Sequence, residues 1–166
     1  MWTLRGHDAV LDQINREIAK DRLAHAYLLT GPEHVGKRTL AVQIAQAVNC
    51  LDCLDGPCGR CSQCRRIHDA RHSDVILVDP EGDKEVSIPK REIGINTVRD
   101  IQHQASLKPY EGIFTVIIFN EAETMSIEAA NALLKTLEEP PDQVLLLMLT
   151  SNAGLSLIHI RPCRRI

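Results

Sequence analysis

The sequence predicts an α/β domain, a parallel sheet covered by helices on both faces. Three observations predict it. Four short apolar runs alternate with segments of helical periodicity. The runs are continuously apolar rather than alternating, as strands buried on both faces require. The first run passes through a glycine-containing loop directly into a helical stripe. With 166 residues, 44% of them apolar and 25% charged, the chain has the composition of one globular domain with a real core.

The elements follow in order. Over residues 8–20, Leu11, Ile14 and Ile18 share one face of a helix. Ala26–Thr30 is a buried strand ended by Gly31-Pro32. From Lys37, the set Leu40, Ala41, Ile44, Ala45 and Val48 makes a second helical stripe. A cysteine-rich segment occupies 50–64. Val75–Val78 is the second strand, ended by Asp79-Pro80, and residues 81–92 read as a polar loop. Val98, Ile101 and Ala105 mark a helix reaching about Leu107. Thr115–Asn120 is the third strand. Ser126 is placed to cap a helix whose expected inner face is Ile127, Ala130, Leu133, Leu134 and Leu137, stopped by Pro140-Pro141. Val144–Leu149 is the fourth strand.

Between the first strand and its helix lies Gly31-Pro32-Glu33-His34-Val35-Gly36-Lys37-Arg38-Thr39, the pattern G-x-x-x-x-G-K. In this strand-loop-helix context the pattern is a phosphate-binding loop. Glycines let the backbone N–H groups curl toward phosphate oxygens. The helix N-terminus and Lys37 add positive charge. Gly31, Gly36, Lys37, Arg38 and Thr39 are therefore the candidate nucleotide-binding residues. The residue after the lysine should carry a hydroxyl for Mg²⁺, and here it is Arg38. Thr39 comes one place late, about 100° further around the helix.

The third strand ends Asn120-Glu121. A phosphate-loop ATPase usually has Asp-Glu here, the Asp on Mg²⁺ and the Glu on the attacking water. Glu121 is in place for the water, and is the catalytic candidate if the site is active. Asn120 offers an amide oxygen without negative charge. Two departures thus fall on one ion. They imply weak or absent Mg²⁺, ATP binding at most, and no intrinsic hydrolysis, with Arg38 supplying positive charge near the ion's usual place.

Five of six cysteines lie between Cys50 and Cys64. Cys58, Cys61 and Cys64 form two overlapping C-x-x-C steps that bring three thiolates together. A fourth ligand from upstream closes a tetrahedron suited to structural zinc. Cys50 is the preferred fourth ligand and Cys53 the alternative. His68 and His72 lie nearby and read as surface histidines.

Several segments resemble bacterial DNA polymerase III clamp-loader subunits of the AAA+ class. They are Leu23–Pro32, the phosphate loop, Val48-Asn49-Cys50 before Pro57–Ile67, and above all Ala129–Pro141 (AANALLKTLEEPP). The resemblance covers residues 2–152. Gly6-His7, Gly36-Lys37-Arg38, His72–Val75, Ile93–Ile95 and Ser106–Gly112 favour the delta-prime type over the ATP-hydrolysing gamma/tau type, which stays as the alternative. The resemblance implies a phosphate-loop nucleotide fold with an inserted zinc module at about 50–67, followed in the family by lid and collar domains. Those domains are expected to be absent from residues 1–154. It also implies a non-hydrolysing stator in a ring that places a sliding clamp on primed DNA, with the other clamp-loader subunits, the clamp and DNA as partners. The family's arginine finger would fall near Arg161-Pro162-Cys163, in a tail (155–166) that reads either as a strand with a basic end or as a truncation artefact. The finger is therefore not assigned.

A nucleotide kinase with a zinc-bearing lid also joins a phosphate loop to four cysteines. Here the cysteines begin 13 residues after Lys37, too early for a lid. The net charge of −3 argues against binding DNA by overall charge. No run reaches the roughly 18 apolar residues of a membrane span. The N-terminus lacks the apolar core of a secretion signal, so a cytoplasmic location is expected.

Overall fold

The computed structural model describes residues 2–4, 6–53, 55–82, 91–152 and 164–165. Helix α1 spans Asp8–Ala19, strand β1 Ala26–Thr30, and helix α2 Lys37–Val48. A short helix α3 (Ser62–His68) precedes strand β2 (Val75–Val78). Strands β3 (Glu81–Gly82) and β4 (Arg91–Glu92) pair antiparallel. Helix α4 is Ile95–Ala105, strand β5 Thr115–Phe119, helix α5 Ile127–Glu138 and strand β6 Val144–Thr150. Arg164–Arg165 forms β7.

The main sheet is wholly parallel, in the order β2-β5-β6-β1-β7. Successive side chains on a strand point to opposite faces, so continuous apolar runs serve two cores at once. On one face Ala26, Leu28, Ile117, Phe119, Leu146 and Met148 pack with Val98, Ile101, Leu133 and Leu137 of α4 and α5. On the other, Tyr27, Leu29, Val116, Ile118, Leu145 and Leu147 pack with Leu11, Ile14, Ile44 and Val48 of α1 and α2. All seven residues of central β6 are buried. Each large apolar side chain so buried contributes about 1.5–3 kcal/mol.

Three expectations need correction. The helix after Ser126 does start where its cap lies, with Ser126 Oγ accepting from the Ala129 N–H at 3.1 Å. Its buried residues, however, are Ala129, Leu133 and Leu137, while Ile127 is 77% exposed. The true stripe repeats every fourth residue, so it begins at Ala129, and Ile127 in the first turn projects off the sheet. The segment 81–92 is not wholly loop, because its ends pair as β3 and β4; residues 83–90 lie outside the described residues. The cysteine segment also holds α3, which the sequence reading missed. Of the tail, Arg161, Pro162 and Cys163 lie outside the described residues, and Arg164–Arg165 pair parallel with Tyr27 and Leu28.

Candidate functional site

Every strand of a parallel sheet ends at the same edge, so the loops after β1, β2, β5 and β6 converge there. A pocket of about 750 Å³ lies at this edge. It is lined by Gly36, Lys37, Arg38 and Thr39 of the phosphate loop, by Asn120, Glu121 and Glu123 after β5, and by Thr150 and Ser151 at the end of β6. The volume falls in the range of small-ligand sites. Gly31, also named as a candidate, closes β1, its N–H donating to the Thr150 carbonyl at 3.3 Å.

Gly36 caps α2 with φ +91°, left-handed backbone that a residue with a Cβ adopts only at a cost. This turn sets Lys37 at the first helical position. Its Nζ donates to the carbonyls of Gly31 (2.6 Å) and Pro32 (2.7 Å) and is held across the loop. Glu121 also has left-handed backbone, φ +51°. Such strain in a residue lining a pocket is a signal of function.

Val78 and Phe119 are register partners, so Asp79 and Asn120 stand side by side where β2 and β5 end. Asn120 Nδ2 donates to Asp79 Oδ1 at 2.9 Å, and Arg38 Nη1 lies 3.5 Å from the same oxygen. Sequence reasoning treated Asp79 only as a strand stop, because its partners lie 41 residues away on either side. Magnesium requires hard oxygen donors in octahedral array. A guanidinium only donates, and an amide whose nitrogen faces a carboxylate contributes no charge. At these two positions, Arg38 and Asn120, the groups present do not fit Mg²⁺, and both engage the neighbouring Asp79 carboxylate. Glu123 was also missed. One carboxylate oxygen accepts from Ser151 N–H (3.2 Å) and Oγ (2.7 Å), and the other is buried with no partner within hydrogen-bond distance among the described residues. Burial pushes this carboxyl up, but the Ser151 donors prevail and hold it below its ordinary value.

Helix α2 carries the chain away from the pocket over twelve residues, roughly 18 Å at 1.5 Å each. Cys50 therefore sits at the opposite edge of the sheet. There Cys50, Cys58, Cys61 and Cys64 bring their sulfurs within 4.8 Å of one another, a group able to hold a metal ion. Cys58 and Cys64 Sγ are 4.0 Å apart; a tetrahedral thiolate site needs about 3.8 Å. Cys53 is not in the group. Backbone N–H groups of Cys58, Cys61 and Cys64 point at the sulfurs of Cys50, Cys58 and Cys61 at 3.3–3.4 Å. The Arg60 and Cys61 N–H groups bring the Cys58 thiol down to about 6, a thiolate at neutral pH. Burial pushes Cys50 and Cys64 up. Gly56 turns at φ +93° beneath the Trp2 ring, where a Cβ would lie 2.4 Å from the indole nitrogen.

Distant partners bolt this module to the sheet. Asn49 Oδ1 accepts from the N–H groups of Ile113 (2.7 Å) and Phe114 (2.8 Å). Asp74 accepts from Tyr110, Glu111 and Gly112 at 2.7–2.8 Å. Burial raises Asp74, but these three N–H groups outweigh it and keep the carboxyl below its ordinary value. Arg66 pairs with Glu111 at 2.8 Å, and Gln63 donates to the Glu111 carbonyl at 2.6 Å. His68 is exposed, as expected, but His72 is buried. Its Nδ1 accepts from the Asp74 N–H at 3.1 Å and faces Glu111 at 3.7 Å. The surface reading of His72 failed because the covering loop lies almost forty residues downstream.

The family described as DNA polymerase III, delta subunit, matches residues 6–162. The DNA polymerase III subunit tau of Bacillus subtilis is 33% identical over 162 residues, 96% of this chain and 27% of its own length. The delta' subunit of the same organism is 36% identical over 143 residues, 86% of this chain and 41% of its own. A solved gamma subunit-related protein of Thermotoga maritima superposes with a TM-score of 0.68 at 25% identity, covering 94% of this chain and 44% of the other. The chain thus spans less than half the length of these relatives.

Proposed function

We propose, for a chain that belongs to the DNA polymerase III delta-subunit family, that it serves in a clamp loader as a delta-prime-type stator that does not hydrolyse ATP. The observation that carries this reading is the convergence of Arg38 and Asn120 on Asp79, where an active site would assemble Mg²⁺ ligands. Catalysis of phosphoryl transfer depends on that ion to neutralise developing charge. Glu121 lacks an activated phosphate to serve. The partners are the other clamp-loader subunits and, through the ring, the sliding clamp and primed DNA. Residues 1–154 form the AAA+ nucleotide-fold unit, with the cysteine module inserted at about 50–67. Among the described residues no helix is long and apolar enough to cross a membrane; we place the protein in the cytoplasm.

Zinc is the metal we assign to Cys50, Cys58, Cys61 and Cys64. Four thiolates suit its preference and leave no open position, so the ion stiffens the module and does no chemistry. Its place at the far edge of the sheet from the phosphate loop also fits no lid of a kinase. The gamma/tau alternative draws its support from the longer match to tau.

Reconstitution tests the assignment. The chain, in its full-length context, is mixed with the remaining clamp-loader subunits and separated by size. Stoichiometric co-elution, with clamp loading on primed DNA lost when the chain is omitted, is the expected result. Elution apart from the ring, with loading unaffected by its omission, would overturn it.

A further inference from the structure

We propose that the pocket takes a nucleoside di- or triphosphate without a divalent cation, with the Arg38 guanidinium as the counter-charge to the phosphates. The proposal rests on the reading of Gly31–Lys37 as a phosphate-binding loop and names the form of ligand that this loop accepts.

The phosphate cradle keeps its essential parts. Gly36 makes the left-handed turn into α2, Lys37 is held over the loop, and about 750 Å³ lies in front of them. Only the metal half of the site has changed, and its parts have changed together. A hydroxyl position holds Arg38, and a carboxylate position holds Asn120. Besides Glu121 and Glu123, a carboxylate stands one strand over, on Asp79. It is engaged by both Arg38 and Asn120, through a single oxygen at 3.5 and 2.9 Å. These contacts turn Arg38 toward the end of β2 and β5, where the ion would otherwise lie.

Charge decides between the two cations. A fixed guanidinium and a divalent ion beside the same phosphates repel each other, and more strongly in a pocket than in water. The guanidinium needs no carboxylate donors, and its forked N–H groups match a phosphate edge. Its present pairing is loose, with the Arg38 and Asp79 side chains 54% and 45% exposed. Such exposed pairs are weak and readily exchanged. Arg38 can leave Asp79 for a phosphate without stranding a buried charge.

Calorimetric titration of ATP and of ADP into the whole chain, in excess Mg²⁺ and in excess EDTA, tests this. Dissociation constants that agree within about twofold between the two conditions are expected, and Arg38→Ala should weaken the EDTA value about tenfold or more. Arg38→Thr combined with Asn120→Asp should make affinity depend on Mg²⁺ by about tenfold. A wild-type affinity that collapses in EDTA, or an Arg38→Ala protein that binds as well as wild type, overturns the proposal. Absence of heat under both conditions, for wild type and for the double variant, overturns the phosphate-loop reading itself and this proposal with it.

Discussion

The sulfurs of Cys50, Cys58, Cys61 and Cys64 lie within 4.8 Å of one another, close enough for one ion to hold all four. Cys58, Cys61 and Cys64 declare themselves because only two residues separate each from the next, and the structure brings Cys50 rather than Cys53 to them. Zinc content should accordingly fall from about one per chain to about none in Cys50→Ser and stay near one in Cys53→Ser, measured by atomic emission. A reversed pattern would reassign the ligand. Asn49, Asp74 and His72 gave no such signal, since each is explained by the loop at 110–114. They predict a pH response. Burial lowers His72, against the opposing pull of Glu111 and Asp74, so the fold keeps it neutral. The unfolded chain then binds more protons, and stability falls as pH drops below the ordinary histidine value of 6.5. The Ser73 N–H lowers Glu111, and the N–H donors on Asp74 prevail over its burial, so both carboxylates add losses at lower pH still. His72→Asn preserves an acceptor for the Asp74 N–H. Its denaturation midpoint should approach the wild-type value as pH is lowered from 8 through about 6. A gap that widens on acidification would show that His72 is charged in the fold.

Elements were legible in proportion to the number of apolar positions that reported on them. The four long strands and α1, α2 and α4 fall close to the limits their patterns set, because continuous apolar runs mark the strands and a single apolar stripe marks each helix. Helix α3 has seven residues, and its cap is Cys61, whose sulfur accepts from the Cys64 N–H. A segment that short, punctuated by ligands, carries no readable stripe. In α5 the period was right and the phase was off by part of a turn, since Ile127 is apolar yet faces outward. The two cases separate in thermal or denaturant unfolding. Leu147→Ala, in the fully buried centre of β6, should cost about 2–5 kcal/mol. Ile127→Ser should shift stability by no more than about 0.5 kcal/mol. Equal losses would mean that the buried face of α5 has been misplaced.

At the scale of the whole molecule, the parallel sheet separates two sites by the length of α2. The pocket lies at the carboxyl edge, and the cysteine module lies at the other, bolted down by Asn49, Asp74 and Glu111. That division was legible in outline, because a strand, a loop and a helix in succession fix where each end must lie. The coupling of Arg38, Asp79 and Asn120 was not, since it joins the ends of α2, β2 and β5 across 41 residues each way. The proposed stator role rests on this coupling. The most direct test is ATP turnover by the full-length protein, alone and within the assembled loader, compared with Lys37→Ala in this subunit only. Background turnover by the protein alone, and loader activity left unchanged by Lys37→Ala, are the expected results. Turnover by the unmodified protein that Lys37→Ala abolishes would contradict the stator role and make this chain one of the motor subunits.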